Sequence, residues 1–201
     1  MTTGLNAQEL TDIKLNTPNK SRGSAVMKAL SDRHSEREFG TKELSLQDIS
    51  DLLWAANGIN RQDGKRTAPS AINRQEIDVY LINKDGAYLY DAATSTLKAI
   101  TKGDYRMAVA GSGQEFAATA PVCLVLVANL EKLGDPKSEN TSWIAAIDAG
   151  IVCQNINIFC SAVGLATVPR ASMDKNELKK ALKLSDTQLL TMNNPVGYPK
   201  K

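Results

Sequence analysis

Apolar and polar residues follow two different periods along the chain, and each period predicts one kind of element. Helical spacing marks residues 24–32, and it returns in "SLQDISDLLWAANG", where leucine, isoleucine and alanine recur on one face. The second stretch opens on a capping box of Ser45 and Asp48 and ends before Gly58. We therefore predict two helices in this part of the chain.

Strands are predicted where apolar residues run without helical spacing. The segments "EIDVYLI" and "AYLYD" flank the turn residues "NKDG", which predicts a β-hairpin. Residues 121–129, "PVCLVLVAN", are apolar almost throughout and predict a strand at a sheet centre, covered on both faces. Near the end, a short helix capped by Asp174 precedes a last extended segment, "TQLLTMNNPVGYPKK".

The longest apolar stretch, residues 142–164, has apolar side chains in nearly every direction around a helix. About 20 apolar residues would suffice to cross a bilayer. Polar side chains interrupt this stretch at Asp148, Gln154, Asn155 and Asn157, which argues against a membrane span. We interpret it as a core helix whose packing continues into a partner subunit.

These elements predict a mixed α+β fold in one domain. The 201 residues suit a single compact unit. Residues 1–22 are rich in Asn, Thr, Lys and Pro, which predicts an extended N-terminal arm, and residues 23–201 form the domain. The arm lacks the basic and apolar regions of a signal peptide, so we expect a cytoplasmic protein. A leader removed before the first residue would leave the same sequence.

Charge and composition exclude several classes of function. The net charge of +2 gives no field that would attract nucleic acid or anionic lipid. The three cysteines form no CxxC pair, and there is one histidine, so neither a zinc site nor a catalytic triad is expected. The usual protein-borne catalysts are therefore mostly missing.

The strongest local signal is the charged segment "RHSEREF", residues 33–39. Arg33 and Arg37 are four positions apart with Ser35 between them, so both guanidinium groups can approach one anion, such as a phosphate. The alternative is an exposed turn in which Glu36 and Glu38 neutralise the arginines. The segment alone leaves both interpretations open.

A long polar loop supplies the second motif. Residues 66–75, "RTAPSAINRQ", offer short polar groups that can bond the edges of a heterocycle. Together with "RHSEREF" and an apolar helix ending in "GLATVP", this loop resembles, in order, the nitroreductase family of FMN-dependent oxidoreductases. The resemblance covers about residues 24–201, and "GKRTAPSA" is most similar to the branch that contains SagB-type dehydrogenases.

The resemblance implies a fold, a cofactor and a reaction. The expected fold is a central, mostly antiparallel sheet flanked by helices, in an intertwined homodimer with FMN at the subunit interface. NAD(P)H would reduce the flavin, which passes electrons to a nitroaromatic, a quinone or a related acceptor in a ping-pong cycle. No side chain is expected to be catalytic, because the flavin N5 carries the chemistry.

The resemblance also implies a set of cofactor-binding residues. The first motif would hold the phosphate and ribityl chain, with Arg37 near the pyrimidine ring. The loop would reach the flavin of the other subunit, and backbone after "GLATVP" would contact the N5 and O4 edge. The full set is Arg33, His34, Ser35, Arg37, Pro69, Ser70, Ala71, Asn73, Pro169, Arg170, Ala171, Ser172 and Lys200.

Two departures from the family pattern keep other functions open. The chain has "PRAS" where many members have a glutamate and a glycine, and it stops at "GYPKK", which leaves Lys200 as the tail cation for the phosphate. One alternative is a SagB-like FMN dehydrogenase that oxidises azoline rings. The other is a flavin-binding protein without turnover.

Overall fold

A computed structural model of the protein describes residues 9–200. Within that range the α-helices are α1 (Val26–Asp32), α2 (Leu46–Asn57), α3 (Arg106–Ala110), α4 (Glu139–Val163) and α5 (Lys175–Ala181). The strands are β1 (Ile13–Lys14), β2 (Ile77–Ile82), β3 (Gly86–Asp91), β4 (Thr96–Lys102), β5 (Val122–Asn129), β6 (Ala166–Thr167) and β7 (Gln188–Gly197).

The strands form one sheet in the order β1-β4-β3-β2-β5-β7-β6, and every neighbouring pair is antiparallel. β2 and β3 form the predicted hairpin, with Tyr80 opposite Leu89. β5 lies between β2 and β7, which is the central position that its unbroken apolar run predicts. The α+β class and the antiparallel sheet are confirmed.

Alternate residues of the central strands supply two cores. Val79 and Leu81 pack with α2 and α4 on one face of the sheet. Tyr80 and Ile82 point to the opposite face, where residues of α3 and α5 cover them. This alternation follows from the period of two in a strand, and it places helices on both faces.

The described part of the predicted arm lies against the domain at two places. β1 pairs with β4 at the sheet edge, and Leu15 is buried in the core. Arg22 forms ion pairs with Asp48 and Asp51 of α2. Asp48 also closes the predicted capping box with Ser45 and accepts a hydrogen bond of 2.6 Å from the Tyr198 hydroxyl. One carboxylate thus connects the arm, α2 and the C-terminal tail.

α4 is the longest helix that the structure describes. It packs against α1, α2, β5 and β7, and its polar residues Asp148 and Asn157 are buried. By length and hydropathy alone this helix could cross a membrane, but its contacts are those of a core helix. It is not buried all round within one chain, because Trp143 and Ile147 are 67% and 45% exposed.

Candidate functional site

The segment "RHSEREF" leaves α1 and is held between β6 and the C-terminal tail. The Glu36 N–H donates to the Thr167 carbonyl at 2.9 Å. The Lys200 N–H donates to the Glu38 carbonyl at 3.2 Å, and Phe39 and Pro199 form a β-bridge. The structure therefore brings the first motif, the "GLAT" segment and the chain end together from three distant parts of the sequence.

The glutamates of this segment are occupied by groups other than the arginines. The Glu36 carboxylate accepts the backbone N–H groups of Glu38 and Arg37, which lowers its pKa, and it lies 3.6 Å from His34 Nε2. Glu38 pairs with the Lys200 ammonium at 3.5 Å. The Arg33 and Arg37 guanidinium groups have no acid partner among residues 9–200. The two arginines therefore keep their charge available for an anion.

A pocket of about 250 Å³ adjoins this segment. His34 and Glu36 form one side of it, Asn157 and Ser161 of α4 form another, and Thr167 of β6 lies between them. Asp32, residues 164–166 and the tail residue Pro199 complete the lining. Among the described residues, Arg33, Ser35 and Arg37 belong to the segment beside the pocket but do not line it. His34 is exposed, and its Nδ1 lies 2.8 Å from the Asp32 carbonyl oxygen, which orients the ring.

The predicted loop residues Pro69–Asn73 lie elsewhere on the same chain. The Ala71 N–H donates to Asp148 Oδ2 at 2.7 Å, so the loop packs beside the first half of α4. Asn157, which lines the pocket, lies about 14 Å farther along that helix, because each residue adds about 1.5 Å. None of the loop residues lines the pocket. A single chain does not bring the two predicted halves of the site together.

The segment after "GLATVP" offers fewer backbone donors than the sequence predicts. Pro169 has no N–H, and the Arg170 N–H already donates to the Asn193 carbonyl at 2.9 Å. The N–H groups of Ala171 and Ser172 have no acceptor within residues 9–200. Of the four predicted residues, only Ala171 and Ser172 therefore have a backbone N–H that could contact a heterocycle.

The Arg170 side chain faces the protein interior, away from solvent. Its guanidinium donates to four oxygens, on Gln114 (2.9 Å), Val109 (3.0 Å), Ala110 (2.5 Å) and Asn193 (2.8 Å). Burial lowers the pKa of this group, which has no carboxylate partner. The Gln114 amide continues the network to the Ser172 hydroxyl at 3.2 Å. Arg170 thus ties the segment after α3 to the segment that carries the free amides.

Comparison with known proteins decides what kind of molecule has this arrangement. The family model described as "Nitroreductase family" matches residues 30–198. The chain belongs to the nitroreductase family. The nitroreductase-like protein MJ1384 of Methanocaldococcus jannaschii is 30% identical over 173 residues, which cover 82% of this chain and 86% of that protein.

Two further comparisons extend this result. A crystal structure of a nitroreductase-like protein from Ralstonia eutropha matches with a TM-score of 0.87 and 31% identity, and the match covers 96% of this chain and 91% of that one. The FMN reductase [NAD(P)H] of Bacillus subtilis is 24% identical over 188 residues, which cover 87% of this chain and 66% of that protein. The nitroreductase fold predicted from the motifs is confirmed.

The residues of this nitroreductase-family chain fit a flavin nucleotide. A phosphate needs cations that are free of internal ion pairs, and within residues 9–200 Arg33 and Arg37 meet that requirement. A heteroaromatic edge needs unoccupied donors, and Ala171 and Ser172 supply two backbone N–H groups. Lys200 lies in the same neighbourhood, but its ammonium has to leave Glu38 before it can meet a phosphate.

Several residues of the site have only weak signals in the sequence. Asn157 and Asp148 interrupt an otherwise apolar helix, which marks them as unusual without showing what they face. Nothing in the sequence marks Gln114, whose amide is held between Arg170 and Ser172. Its partners come from more than fifty residues away along the chain.

Proposed function

We propose that the protein is an FMN-dependent oxidoreductase that transfers reducing equivalents from NAD(P)H to small acceptors such as nitroaromatics and quinones. The observation that carries the proposal is the pair Arg33 and Arg37 in a nitroreductase-family chain. Their guanidinium groups have no acid partner among residues 9–200, and His34 and Glu36 of the same segment line a pocket. The similarity to an FMN reductase [NAD(P)H] of Bacillus subtilis supports the flavin and the nicotinamide donor. We also propose a cytoplasmic location, which the three reduced, buried cysteines support.

Different residues of the chain would bind different parts of the cofactor. Arg33 and Ser35 would bind the phosphate, with Lys200 as an outer cation, and Arg37 would lie near the pyrimidine ring. The amides of Ala171 and Ser172 would donate to the N5 and O4 edge. When bound, FMN supplies the hydride chemistry that no side chain here provides. His34 lines the pocket and would contact the cofactor there.

A second copy of the chain would complete each site. The loop residues Pro69, Ser70, Ala71 and Asn73 lie too far along α4 to reach the pocket of their own chain, so we assign them to the flavin of a partner subunit. α1 presents an apolar patch for such a partner, with Val26, Met27 and Leu30 at 67%, 77% and 47% exposure. An apolar patch of this kind marks an interface. We therefore propose a homodimer.

The dimer predicts the effect of a charge on the α1 patch. Met27→Asp places a carboxylate in the proposed interface, where it would be desolvated without a partner. We expect the wild-type protein to sediment as a dimer at micromolar concentration and the variant as a monomer. Met107→Asp is the matched control, because Met107 is also exposed, at 58%, but lies on α3. A monomeric wild type that retains its flavin would contradict the shared site.

The proposed function is tested on the purified protein without mutation. We expect a yellow protein that releases FMN on heating and is bleached by NADH or NADPH in anaerobic titration. Addition of a quinone or a nitroaromatic should restore the colour. A yellow protein that neither nicotinamide bleaches would instead support flavin binding without turnover, and a colourless protein that takes up no FMN would contradict the proposal.

A further inference from the structure

Two acidic side chains meet inside the protein beneath the loop Pro69–Asn73. Glu76, directly before β2, is fully buried, and Asp148 of α4 is 5% exposed. Neither carboxyl oxygen of Glu76 receives a hydrogen bond from a donor group of the described residues. The Asp148 carboxyl group of α4 is the side chain that interacts with it inside the protein. Two carboxyl groups can share a hydrogen bond only when one of them carries a proton.

The surroundings favour a protonated Glu76. Burial, and then the hydrogen bond with Asp148, raise its pKa to about 7. The opposing charge is Lys132, which lies in the turn after β5 and lowers that pKa. The Lys132 ammonium donates to the Gln75 carbonyl at 3.1 Å and does not form an ion pair with Glu76. A protonated Glu76 can donate its hydrogen to the Asp148 carboxyl group.

The same Asp148 carboxyl group holds the loop. Its Oδ2 accepts the Ala71 N–H at 2.7 Å, at the start of a short stretch in which Ile72, Asn73 and Gln75 have positive φ angles of 44°, 57° and 50°. A positive φ is a clear outlier for a β-branched residue such as Ile72. Such conformations are strained and persist only where the surroundings impose them.

We propose that Glu76 and Asp148 are positioning residues that share one proton to hold the loop in its strained shape, and that the loop loosens when the proton leaves. A second buried negative charge would repel Asp148 and draw it away from the Ala71 amide. This inference rests on the proposed function, in which the loop contacts the flavin of the partner subunit. Flavin affinity should then fall as the pH rises through neutrality.

The sign of the effect on stability follows from the same proton. The unfolded chain releases it at the ordinary glutamate pKa, whereas the folded protein keeps it up to about pH 7. The free energy of unfolding should therefore decrease as the pH rises between those two values and level off above the second. Glu76→Gln should lack this slope, because the amide N–H donates to Asp148 at every pH.

The test measures the loop and the flavin separately. In the flavin-free protein, hydrogen exchange of the Ala71 amide, corrected for its intrinsic rate, should lose protection by about tenfold between about pH 6 and 8.5. The dissociation constant of FMN should rise by a similar factor over the same range. Both quantities should be independent of pH in Glu76→Gln.

Each measurement has its own contradicting result. Equal pH profiles of Ala71 exchange in the wild type and in Glu76→Gln would overturn the inference, whether or not FMN binds. If only FMN binding fails, the proposed function fails while the exchange measurement still tests the acid pair. Asp78→Asn is the matched control, since Asp78 lies two residues along on β2 near the same Lys132 and should leave the transition in place.

Should Glu76→Gln fail to fold, Asp148→Asn provides a second variant. It keeps a carbonyl oxygen that can accept the Ala71 N–H but removes the charge that opposes ionisation of Glu76. We expect the transition in Ala71 exchange to be lost, because an ionised Glu76 then meets no charge at position 148 that it could repel. An unchanged midpoint in Asp148→Asn would show that the two acids are not coupled and would overturn the inference.

Discussion

Replacing Arg33 by alanine is expected to weaken FMN binding by about 10- to 100-fold. A hydrogen bond between charged groups contributes about 1.5–3 kcal/mol, and the Arg33 guanidinium has no internal acid partner that would compete for it. The backbone of Arg33 closes the end of α1 through the Ala29 carbonyl, and alanine keeps that bond. The measurement is a titration of the flavin-free protein with FMN, followed by flavin fluorescence.

Two variants separate the phosphate role of Arg33 from a general effect of charge. Arg33→Lys keeps the charge but loses the planar pair of donors, so its affinity should lie between those of the wild type and the alanine variant. Lys180→Ala removes an exposed cation from α5, and it should leave the affinity unchanged. Unaltered FMN affinity in Arg33→Ala would remove this residue from the phosphate site.

Replacing Arg170 by alanine is expected to lower the free energy of unfolding by about 3–5 kcal/mol. The guanidinium donates to three buried oxygens and to the part-buried Gln114 oxygen, and its loss removes their donor. The Phe116 ring, which lies 5.6 Å from the guanidinium carbon, would also lose its contact. Urea denaturation of the flavin-free variant and wild type measures the difference.

Two control variants separate the buried hydrogen bonds of Arg170 from the loss of any arginine. Arg170→Lys keeps a charge with fewer donors in a different geometry, so the loss should be smaller than for alanine. Arg61→Ala removes an exposed arginine and should change the unfolding free energy by less than about 0.5 kcal/mol. If Arg170→Ala unfolded at the same urea concentration as the wild type, the buried network would contribute nothing to stability.

The fold was predictable wherever one local pattern was strong. The hairpin of β2 and β3, the central β5 and the capped α2 each follow from a period that the sequence displays. β4 could not be predicted in this way, because "TLKAITK" mixes lysines with apolar residues and its pairing with β3 is shifted by a bulge. β1 could not be predicted either, since its two residues become a strand only because Leu97 and Thr96 of β4 lie opposite them.

Some residues of the candidate site could be predicted from the sequence and others could not. Arg33, Ser35 and Arg37 are neighbours in sequence, so their spacing already indicates a shared anion. Arg170 resembles a surface arginine in "PRAS", and its burial depends on carbonyl groups about sixty residues earlier in the chain. Glu76 likewise resembles the polar start of a strand until α4 places Asp148 against it. Such contacts between distant residues depend on tertiary packing, which no local sequence pattern indicates.

The loop Pro69–Asn73 lies beside Asp148 of α4, whereas the pocket lies beside Asn157 farther along that helix. This separation makes FMN binding depend on protein concentration. In the proposed dimer each cleft needs the pocket of one copy and the loop of the other, so cofactor occupancy and self-association are thermodynamically linked. By reciprocity, FMN tightens the association of the two copies by the same factor by which association tightens FMN. At low protein concentration, the apparent affinity for FMN therefore becomes a property of the assembly and no longer of the folded chain alone.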